Sequence, residues 1–439
     1  MKTNKLSELI RHKYGPIYRI VVAGRSIVVI ADQGAVSFLD RDPAKVFSNE
    51  EVFTRLIEGV FGITTNSVFV HDVMRQKLFP LVGKWLSHPR SSEDLLQSMD
   101  PELVTQLTTF GNSASSSIVN LSELVSRTLY VASCTAFFGP SFPATETLPD
   151  YQLIDARLPL LITGMPFVAS DAVQARKRML DRMISFIGSW WESDEEPEGV
   201  STMVLDFLHS MKDAHLSKRE AAGLLSLFLW GSQINTWYMA FWLITNIITG
   251  HDTMERIQAE IDGLAFQTCK REGTKDHSQT PLVDSAITEN LRWATTSSII
   301  RRATKDTQIM FGDAAIVIEK GDYILADVKA VHHDRDIFRT GKLQYRPLSK
   351  IGESSQFCCT YANRLGRRCS CKGKSMALLQ MRQIVIRLFQ LYTVKPISGV
   401  AEKAQSPHLR KPNSSLGSLS ESSRQFYVEL TLRREKLEL

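Results

Sequence analysis

The sequence has too few cysteines for a disulfide scaffold and no long apolar run at its amino terminus. Six cysteines are spread over 439 residues, and four of them fall between Cys358 and Cys371. Such sparse use predicts a reducing compartment, in which a thiol cluster indicates ligation or thiol chemistry. The opening segment, MKTNKLSELIRHKYGP, predicts neither a signal peptide nor an amino-terminal membrane anchor.

Motifs of several other enzyme classes are also missing. There is no Walker loop, no dinucleotide-binding glycine motif and no His-Glu-x-x-His helix. The 52 basic and 47 acidic residues leave a formal net charge of +5, which is too mild and mixed to indicate nucleic acid as a partner. Since 43% of the residues are apolar, the chain is predicted to fold as a globular enzyme with a large core.

The spacing of apolar residues predicts a mainly α fold with a small β part. Helical spacing runs from about Ala35 to Ile261 and returns from Ser370 to Leu391. Short β-branched pieces predict strands at Ile17 to Ile30, Thr307 to Met310, Ala315 to Ile318, Tyr323 to Ala326 and Phe426 to Leu432. The sequence therefore predicts a helical body followed by a small sheet.

One apolar stretch, Leu224 to Ile248, has the length of a membrane span but a polar centre. That centre contains Gly231, Ser232, Gln233, Asn235 and Thr236. Polar residues inside a bilayer need a partner helix, and the sequence offers none. The stretch therefore predicts a buried core helix with a functional face.

Cys371 stands at the start of a predicted helix, two residues before Gly373 and six before Ala377. A thiolate at a helix amino terminus is stabilised by unpaired backbone N–H groups and by the positive end of the helix dipole. The two small residues would let a flat macrocycle approach the helix. This pattern favours a cysteine that ligates haem iron and promotes O–O cleavage.

The segment resembles the cysteine pocket of the cytochrome P450 superfamily, which ends in Cys-x-Gly-x-x-x-Ala, and further motifs follow in that family's order. Glu289 and Arg292 look like the family's Glu-x-x-Arg pair, in which a carboxylate and a guanidinium meet on one helix face. The resemblance implies that Arg346 joins them to brace the cysteine loop. It also implies one haem-thiolate domain over residues 1–439, with the cytochrome P450 fold and haem b.

The resemblance implies further haem contacts and an oxygen-activation turn. The haem propionates would pair with three residues, Arg301, His71 and Arg75, since arginine suits bidentate carboxylate recognition. In the turn that ends in Asn235 and Thr236, the threonine would hold an oxygen-bound water and the asparagine would position it. The Asn-Thr pair resembles the pattern found in the branch of sterol 7-alpha-hydroxylases and prostacyclin synthase. The residues around the pair look closest to those of fungal members of that branch.

The chain departs from the family in the loop before the cysteine. Where the family has an aromatic residue and a glycine, this chain has Arg364 and Arg367, with Gly366 one place out. Because a glycine permits a tight bulge there, the change predicts either a loop slipped by one residue or impaired haem binding. The missing anchor predicts a soluble or peripherally bound enzyme on the cytoplasmic side of the endoplasmic reticulum, or a shortened gene product.

The resemblance implies a monooxygenase that inserts one oxygen atom from O2 into a bulky apolar substrate, with two electrons from NADPH. That substrate would be sterol-like, terpenoid or polyketide, in fungal secondary metabolism. Four basic residues, Arg367, Arg368, Lys372 and Lys374, would dock an acidic flavoprotein reductase, although a plain solvated loop is the alternative.

Three other interpretations stay open. An isomerase or dehydratase would rearrange a peroxide on the haem without NADPH or a reductase, which Asn235 permits. A haem-less relative would keep the fold as a scaffold, as the two arginines suggest. A zinc site would draw on Cys358, Cys359, Cys369, Cys371, His332 and His333, but structural zinc sites usually use Cys-x-x-Cys pairs, and these cysteines are adjacent or one apart.

Overall fold

The structure is a computed structural model that describes residues 13–22, 24–32, 39, 46–63, 67–111, 116–162, 169–193, 196–268, 280–294, 299–311, 314–334, 371–397 and 425–433. Helices α1 to α14 run over Glu50–Gly59, Ser67–Val73, Phe79–Leu86, Pro89–Gly111, Leu121–Phe138, Ala144–Ala156, Leu158–Ile162, Ser170–Ser193, Thr202–Asp213, Lys218–Thr249, His251–Thr268, Pro281–Ala294, Val328–His332 and Lys374–Leu391. A π-helical segment, Met74–Leu78, joins α2 to α3. Strands β1 to β10 run over Ile17–Val22, Arg25–Ile30, Phe47–Ser48, Ser116–Asn120, Ile299–Ala303, Thr307–Phe311, Ala314–Ile318, Tyr323–Ala326, Tyr392–Pro396 and Tyr427–Leu432.

The chain divides into two compact units, and the first carries most of the strands. It comprises Met1–Phe53, Thr288–Cys371 and Asn413–Gly417. Its five-stranded sheet has the order β1-β2-β8-β5-β3, in which only β2 and β8 pair in parallel, and β6 and β7 form a separate hairpin. A cluster of buried aliphatic side chains, including Val28, Ile30, Ile309, Ile318 and Ile324, forms its core.

The second unit is helical and is organised around α10. It comprises Thr54–Ile287, Lys372–Pro412 and Ser418–Leu439, and it contains the three-stranded sheet β4-β10-β9. At a rise of 1.5 Å per residue, α10 is about 48 Å long, and α5, α8, α11 and α14 pack against it. Nearly all of its side chains between Ala221 and Ile248 are buried. The predicted core helix is therefore confirmed.

The mainly α fold with a small β part is confirmed, and so are the strands predicted from their β-branched pieces. The prediction of one domain over residues 1–439 stays a prediction. Within the described ranges, no helix combines the length and the apolarity needed to cross a membrane.

A capping box begins α10. The Ser217 hydroxyl accepts from the Glu220 amide at 3.3 Å, and the Glu220 carboxylate accepts from the Ser217 amide at 2.7 Å. We expect Ser217→Ala to lower the free energy of unfolding by about 1 kcal/mol, because the Glu220 amide loses the hydroxyl that accepts its hydrogen bond. Urea unfolding would measure the change. The matched control is Ser185→Ala. Ser185 is exposed and lies away from both ends of α8, so its replacement is expected to change the free energy of unfolding by no more than about 0.5 kcal/mol. Equal losses in both variants would contradict a capping role.

Candidate functional site

Cys371 lies three residues before the first residue of α14 and is exposed. Gly373 is the N-cap of α14, and no side chain caps the helix. The first backbone N–H groups of α14 therefore have no side-chain acceptor. The Ser87 hydroxyl donates to the Lys372 carbonyl at 2.6 Å and fixes the backbone between the cysteine and the helix. An exposed thiol close to the start of a helix is accessible to a metal ion, so Cys371 fits a sulfur ligand of haem iron.

Another cysteine of the chain, Cys134, has the opposite environment. It lies in α5 and is fully buried, and this burial raises the pKa of its thiol well above the ordinary range. A buried neutral thiol behaves as a small apolar side chain rather than as a ligand. Of the two cysteines in the part of the chain that the structure describes, only Cys371 suits metal ligation.

Polar side chains along α14 hold this helix in the second unit. The Gln380 amide donates to the Ser133 hydroxyl of α5 at 2.9 Å. Arg382 donates to Asp284 at 2.8 Å, and Arg387 donates to Asp100 of α4 at 2.9 Å. A helix anchored at three points gives the residues at its start a rigid support, as a ligand site requires.

The centre of α10 presents a small polar face. Between Ala221 and Ile248, six residues are not fully buried, namely Leu227, Phe228, Trp230, Gly231, Ser232 and Asn235, and two of these, Gly231 and Asn235, are exposed. They are four residues apart and therefore share one face. A Cβ at Gly231 would meet no atom within 4 Å, so space lies beside the helix. Thr236 is 4% exposed, and its hydroxyl donates to the Ser232 carbonyl at 3.2 Å.

The residues predicted to pair with haem propionates lie in different environments. His71 of α2 is buried, whereas the Arg75 side chain is 63% exposed and lies 3.6 Å from Asp72. Arg75 itself lies in the π-helical segment Met74–Leu78, whereas His71 lies in the α-helix before it. Arg301, on β5, is half-buried and donates to the Ile300 carbonyl at 2.9 Å. Their propionate contacts stay predictions.

The Glu289–Arg292 pair forms on α12 as the spacing predicts. Arg292 is 4% exposed, and its Nε and Nη2 donate to the two carboxylate oxygens of Glu289 at 2.8 and 2.6 Å. Its remaining nitrogen, Nη1, donates to the main-chain carbonyl of His332 at 2.7 Å. Sequence reasoning missed this last partner. Arg346, the predicted third member, lies outside the described residues.

His332 and His333 end α13, in the same unit as the Glu289–Arg292 pair. Burial, together with the neighbouring His333 and Arg292, lowers the pKa of His332 to about 4. Burial likewise lowers the pKa of His333, whose Nε2 lies 3.1 Å from the Trp293 carbonyl. Both rings are therefore neutral near pH 7. The cysteines of the alternative zinc site other than Cys371, at positions 358, 359 and 369, lie outside the described residues.

The depressed pKa of His332 predicts a pH dependence of stability. The unfolded chain takes up a proton near pH 6.5, but the folded protein resists it down to about pH 4. The free energy of unfolding is therefore expected to fall by about 3 kcal/mol from this residue alone as the pH drops from 6.5 to 4. Urea unfolding across this range should show a shallower slope for His332→Gln. The exposed His88→Gln is the control and should keep the parent slope; identical slopes in all three proteins would exclude His332 as the source.

Several other predicted residues lie outside the described part of the chain. They are Arg364, Gly366, Arg367 and Arg368 in the loop before the cysteine.

Lys372 is exposed and Lys374 is half-buried at the start of α14. Gly373 and Ala377 are also half-buried there, and the Ala377 amide donates to the Gly373 carbonyl at 2.9 Å.

Comparison with known protein families shows to which family the chain belongs. The family profile described as Cytochrome P450 matches residues 1–416, which is most of the chain. The chain belongs to the cytochrome P450 family. Proteins of this family are haem-thiolate enzymes that include monooxygenases, so membership confirms the predicted haem and the predicted enzyme class, an oxidoreductase.

Similar proteins support the predicted branch of the P450 family. The chain is 23% identical to cytochrome P450 7A1 of Rattus norvegicus over 67% of this chain and 62% of that protein. It is 26% identical to cholesterol 7-alpha-monooxygenase of Cricetulus griseus over 48% and 45%, and 21% identical to prostacyclin synthase of Rattus norvegicus over 88% and 82%. The chain thus spans less than two thirds of the length of the first two relatives.

A solved structure confirms the P450 fold. The retinoic acid-bound cyanobacterial CYP120A1 matches with a TM-score of 0.76 at 17% identity, over 99% of this chain and 95% of that one. At this identity the likeness concerns the fold alone. The predicted fold class is therefore confirmed as that of a P450.

Proposed function

We propose that this P450 is a monooxygenase that inserts one oxygen atom of O2 into a bulky apolar substrate. The balanced reaction is R–H + O2 + NADPH + H⁺ → R–OH + H2O + NADP⁺. The observation that carries the proposal is the exposed thiol of Cys371 three residues before the first residue of α14, a helix with no side-chain cap. When bound, haem supplies the oxidising power, and the protein supplies ligation, orientation and exclusion of water.

The roles of this chain's own residues follow from their environments. The Cys371 thiolate would be the axial ligand, with Gly373 and Ala377 leaving room for the macrocycle. Arg301, Arg75 and His71 would bind the propionates. On α10, the Thr236 hydroxyl donates a hydrogen bond to the Ser232 carbonyl, so its oxygen can accept one from a water that the exposed Asn235 would orient.

The substrate class is proposed to be sterol-like, with terpenoids and polyketides of secondary metabolism as the wider set. The relative named cholesterol 7-alpha-monooxygenase supports a sterol, and the CYP120A1 structure contains retinoic acid, an apolar isoprenoid. Aromatic and aliphatic side chains beside the exposed turn of α10, Leu227, Phe228 and Trp230, remain partly accessible and suit such a ligand.

The redox partner is proposed to be an NADPH-dependent flavoprotein reductase that docks on Arg367, Arg368, Lys372 and Lys374. Opposite charges speed such an encounter and make it sensitive to salt. The enzyme is proposed to work as one haem-enclosing domain on the cytoplasmic side of the endoplasmic reticulum, in peripheral membrane contact. Raising the ionic strength should then slow reduction by the reductase, and Lys372→Glu should do the same at low salt.

The function is tested by turnover of a panel of sterols, terpenoids and polyketides by the purified full chain. With reductase, NADPH and ¹⁸O2, one labelled oxygen atom is expected in the product, and omission of NADPH should stop the reaction. Turnover of a lipid peroxide without NADPH or reductase would instead support the isomerase alternative, which the relative named prostacyclin synthase and Asn235 favour. A folded protein without haem would support the scaffold alternative.

A further inference from the structure

Two side chains of α6 form hydrogen bonds with α10 on both sides of its exposed turn. The Tyr151 hydroxyl donates to the Trp230 carbonyl at 2.8 Å, one residue before the turn. Asp155, one helical turn further along α6, accepts from the Tyr238 hydroxyl at 2.6 Å and from the Trp230 indole N–H at 3.3 Å. Trp230 and Tyr238 therefore flank residues 231–236, and both are bonded to the same neighbouring helix.

We propose that Tyr151 and Asp155 are positioning residues that hold the 231–236 turn of α10, and with it Asn235 and Thr236, in its working orientation. The proposal rests on the proposed function for the role of that turn. No sequence motif predicts a role for α6. The two residues act through α10 and not on substrate or oxygen.

The contacts of Tyr151 lie on the main chain, so they control backbone geometry. A helix carbonyl has two lone pairs, and a second donor besides the helix amide biases the direction in which that carbonyl tilts. The Trp230 carbonyl is the acceptor in the turn that ends at Ile234, so its tilt affects the residues that follow. Tyr151 is 2% exposed, and its ring packs edge-on against Trp237 at 5.3 Å, which leaves the hydroxyl little freedom to move.

Asp155 adds a charged acceptor inside the same packed region. It is 6% exposed, and bonds to an ionised acceptor are shorter and stronger than those between neutral groups, as the 2.6 Å contact to Tyr238 illustrates. One carboxylate thereby joins two residues eight positions apart on α10. A shift of either end of the turn would break a buried bond, which is unfavourable in a low-dielectric setting.

The opposite side of α6 is also fixed. Asp150 accepts from Arg178 at 3.0 Å and from Arg182 at 2.6 Å, and both arginines belong to α8. A movement of α6 relative to α8 or α10 must therefore break ion pairs on one side or hydrogen bonds on the other. The position of the α10 turn is thus tied to the position of α6.

The test compares Tyr151→Phe with Tyr130→Phe in the haem-loaded full chain. Both tyrosines are buried and their rings contact each other at 5.0 Å, but the Tyr130 hydroxyl lies 3.0 Å from Thr147 of α6 and does not reach α10. We expect amide hydrogen exchange in peptides covering residues 229–236 to become about three- to tenfold faster in Tyr151→Phe, since one hydrogen bond is lost. Exchange there should be unchanged in Tyr130→Phe.

A second variant and a second readout complete the experiment. Asp155→Asn should also accelerate exchange at residues 229–236, and in both variants more NADPH should be spent on reducing O2 to hydrogen peroxide per product formed. Equal exchange rates in Tyr151→Phe and Tyr130→Phe, or an acceleration spread evenly along α10, would overturn the proposal. Exchange is measured without turnover, so a chain that hydroxylates nothing would defeat the proposed function and still test this inference.

Discussion

Replacing Cys371 with alanine is expected to abolish the thiolate-type Soret band of the reduced carbon-monoxide difference spectrum. The thiol of Cys371 is exposed, and it precedes a helix whose first amides have no side-chain cap, so it is accessible to haem iron as a ligand. Alanine offers no ligating atom. The purified variant should therefore lose the band completely, and its haem-to-protein ratio should fall with it.

Two matched variants make the Cys371 experiment decisive. Cys369→Ala removes a thiol only two positions away in the sequence, and Cys134→Ala removes a buried thiol whose pKa is raised by burial. Both should keep the band. If Cys369→Ala lost it and Cys371→Ala kept it, the ligand would be misassigned. If the parent protein folds without any haem band, the arginines at positions 364 and 367 would be the first residues to restore to an aromatic residue and a glycine.

Replacing Arg292 with alanine is expected to lower the free energy of unfolding by about 3–5 kcal/mol. Arg292 is 4% exposed and satisfies three acceptors at once, namely both oxygens of Glu289 and the His332 carbonyl. The variant would remove the two donors that Arg292 provides to the largely buried Glu289 carboxylate and the side-chain donor of the His332 carbonyl. Arg292→Lys should recover only part of the loss, because a single ammonium cannot reproduce the planar fork. Urea unfolding and soluble yield are the measurements.

An exposed ion pair of the same chain provides the control for Arg292. Arg157 and Asp171 lie 3.2 Å apart with side chains that are 47% and 43% exposed. Water and salt screen such a pair, so Arg157→Ala should change the free energy of unfolding by less than about 1 kcal/mol. Comparable losses for Arg157→Ala and Arg292→Ala would show that the Glu289–Arg292 pair braces nothing.

The strands that the sequence predicts are those with their own β-branched runs. The hairpin of β1 and β2 is one example, in which Gly24 adopts a φ of +75° at the turn. Strands β4 and β5 were missed because their sequences, SSIVN and IIRRA, are polar for much of their length. They form because distant strands pair with them, and a local pattern contains no information about such partners.

The functional residues divide in the same way. The Glu289–Arg292 pair could be predicted because residues three apart on a helix must be neighbours. The His332 carbonyl could not, because a main-chain acceptor forty residues away has no side-chain signature. The π-helical segment that contains Arg75 likewise has no recognisable sequence pattern. The contacts of Tyr151 and Asp155 could not be predicted either, because their partners lie on α10, about eighty residues further along the chain.

The central place of β10 in its sheet bears on how the protein is made. Tyr427–Leu432 lies between β4 and β9, and its Val428 stands opposite Val119 on one side and Pro396 on the other. On the ribosome, β4 emerges some three hundred residues before the strand that completes its pairing. Throughout that interval the nascent helical unit has an open strand edge, which is where wrong pairing and aggregation begin. Recombinant expression should therefore gain from slow synthesis and from chaperones that cover this edge.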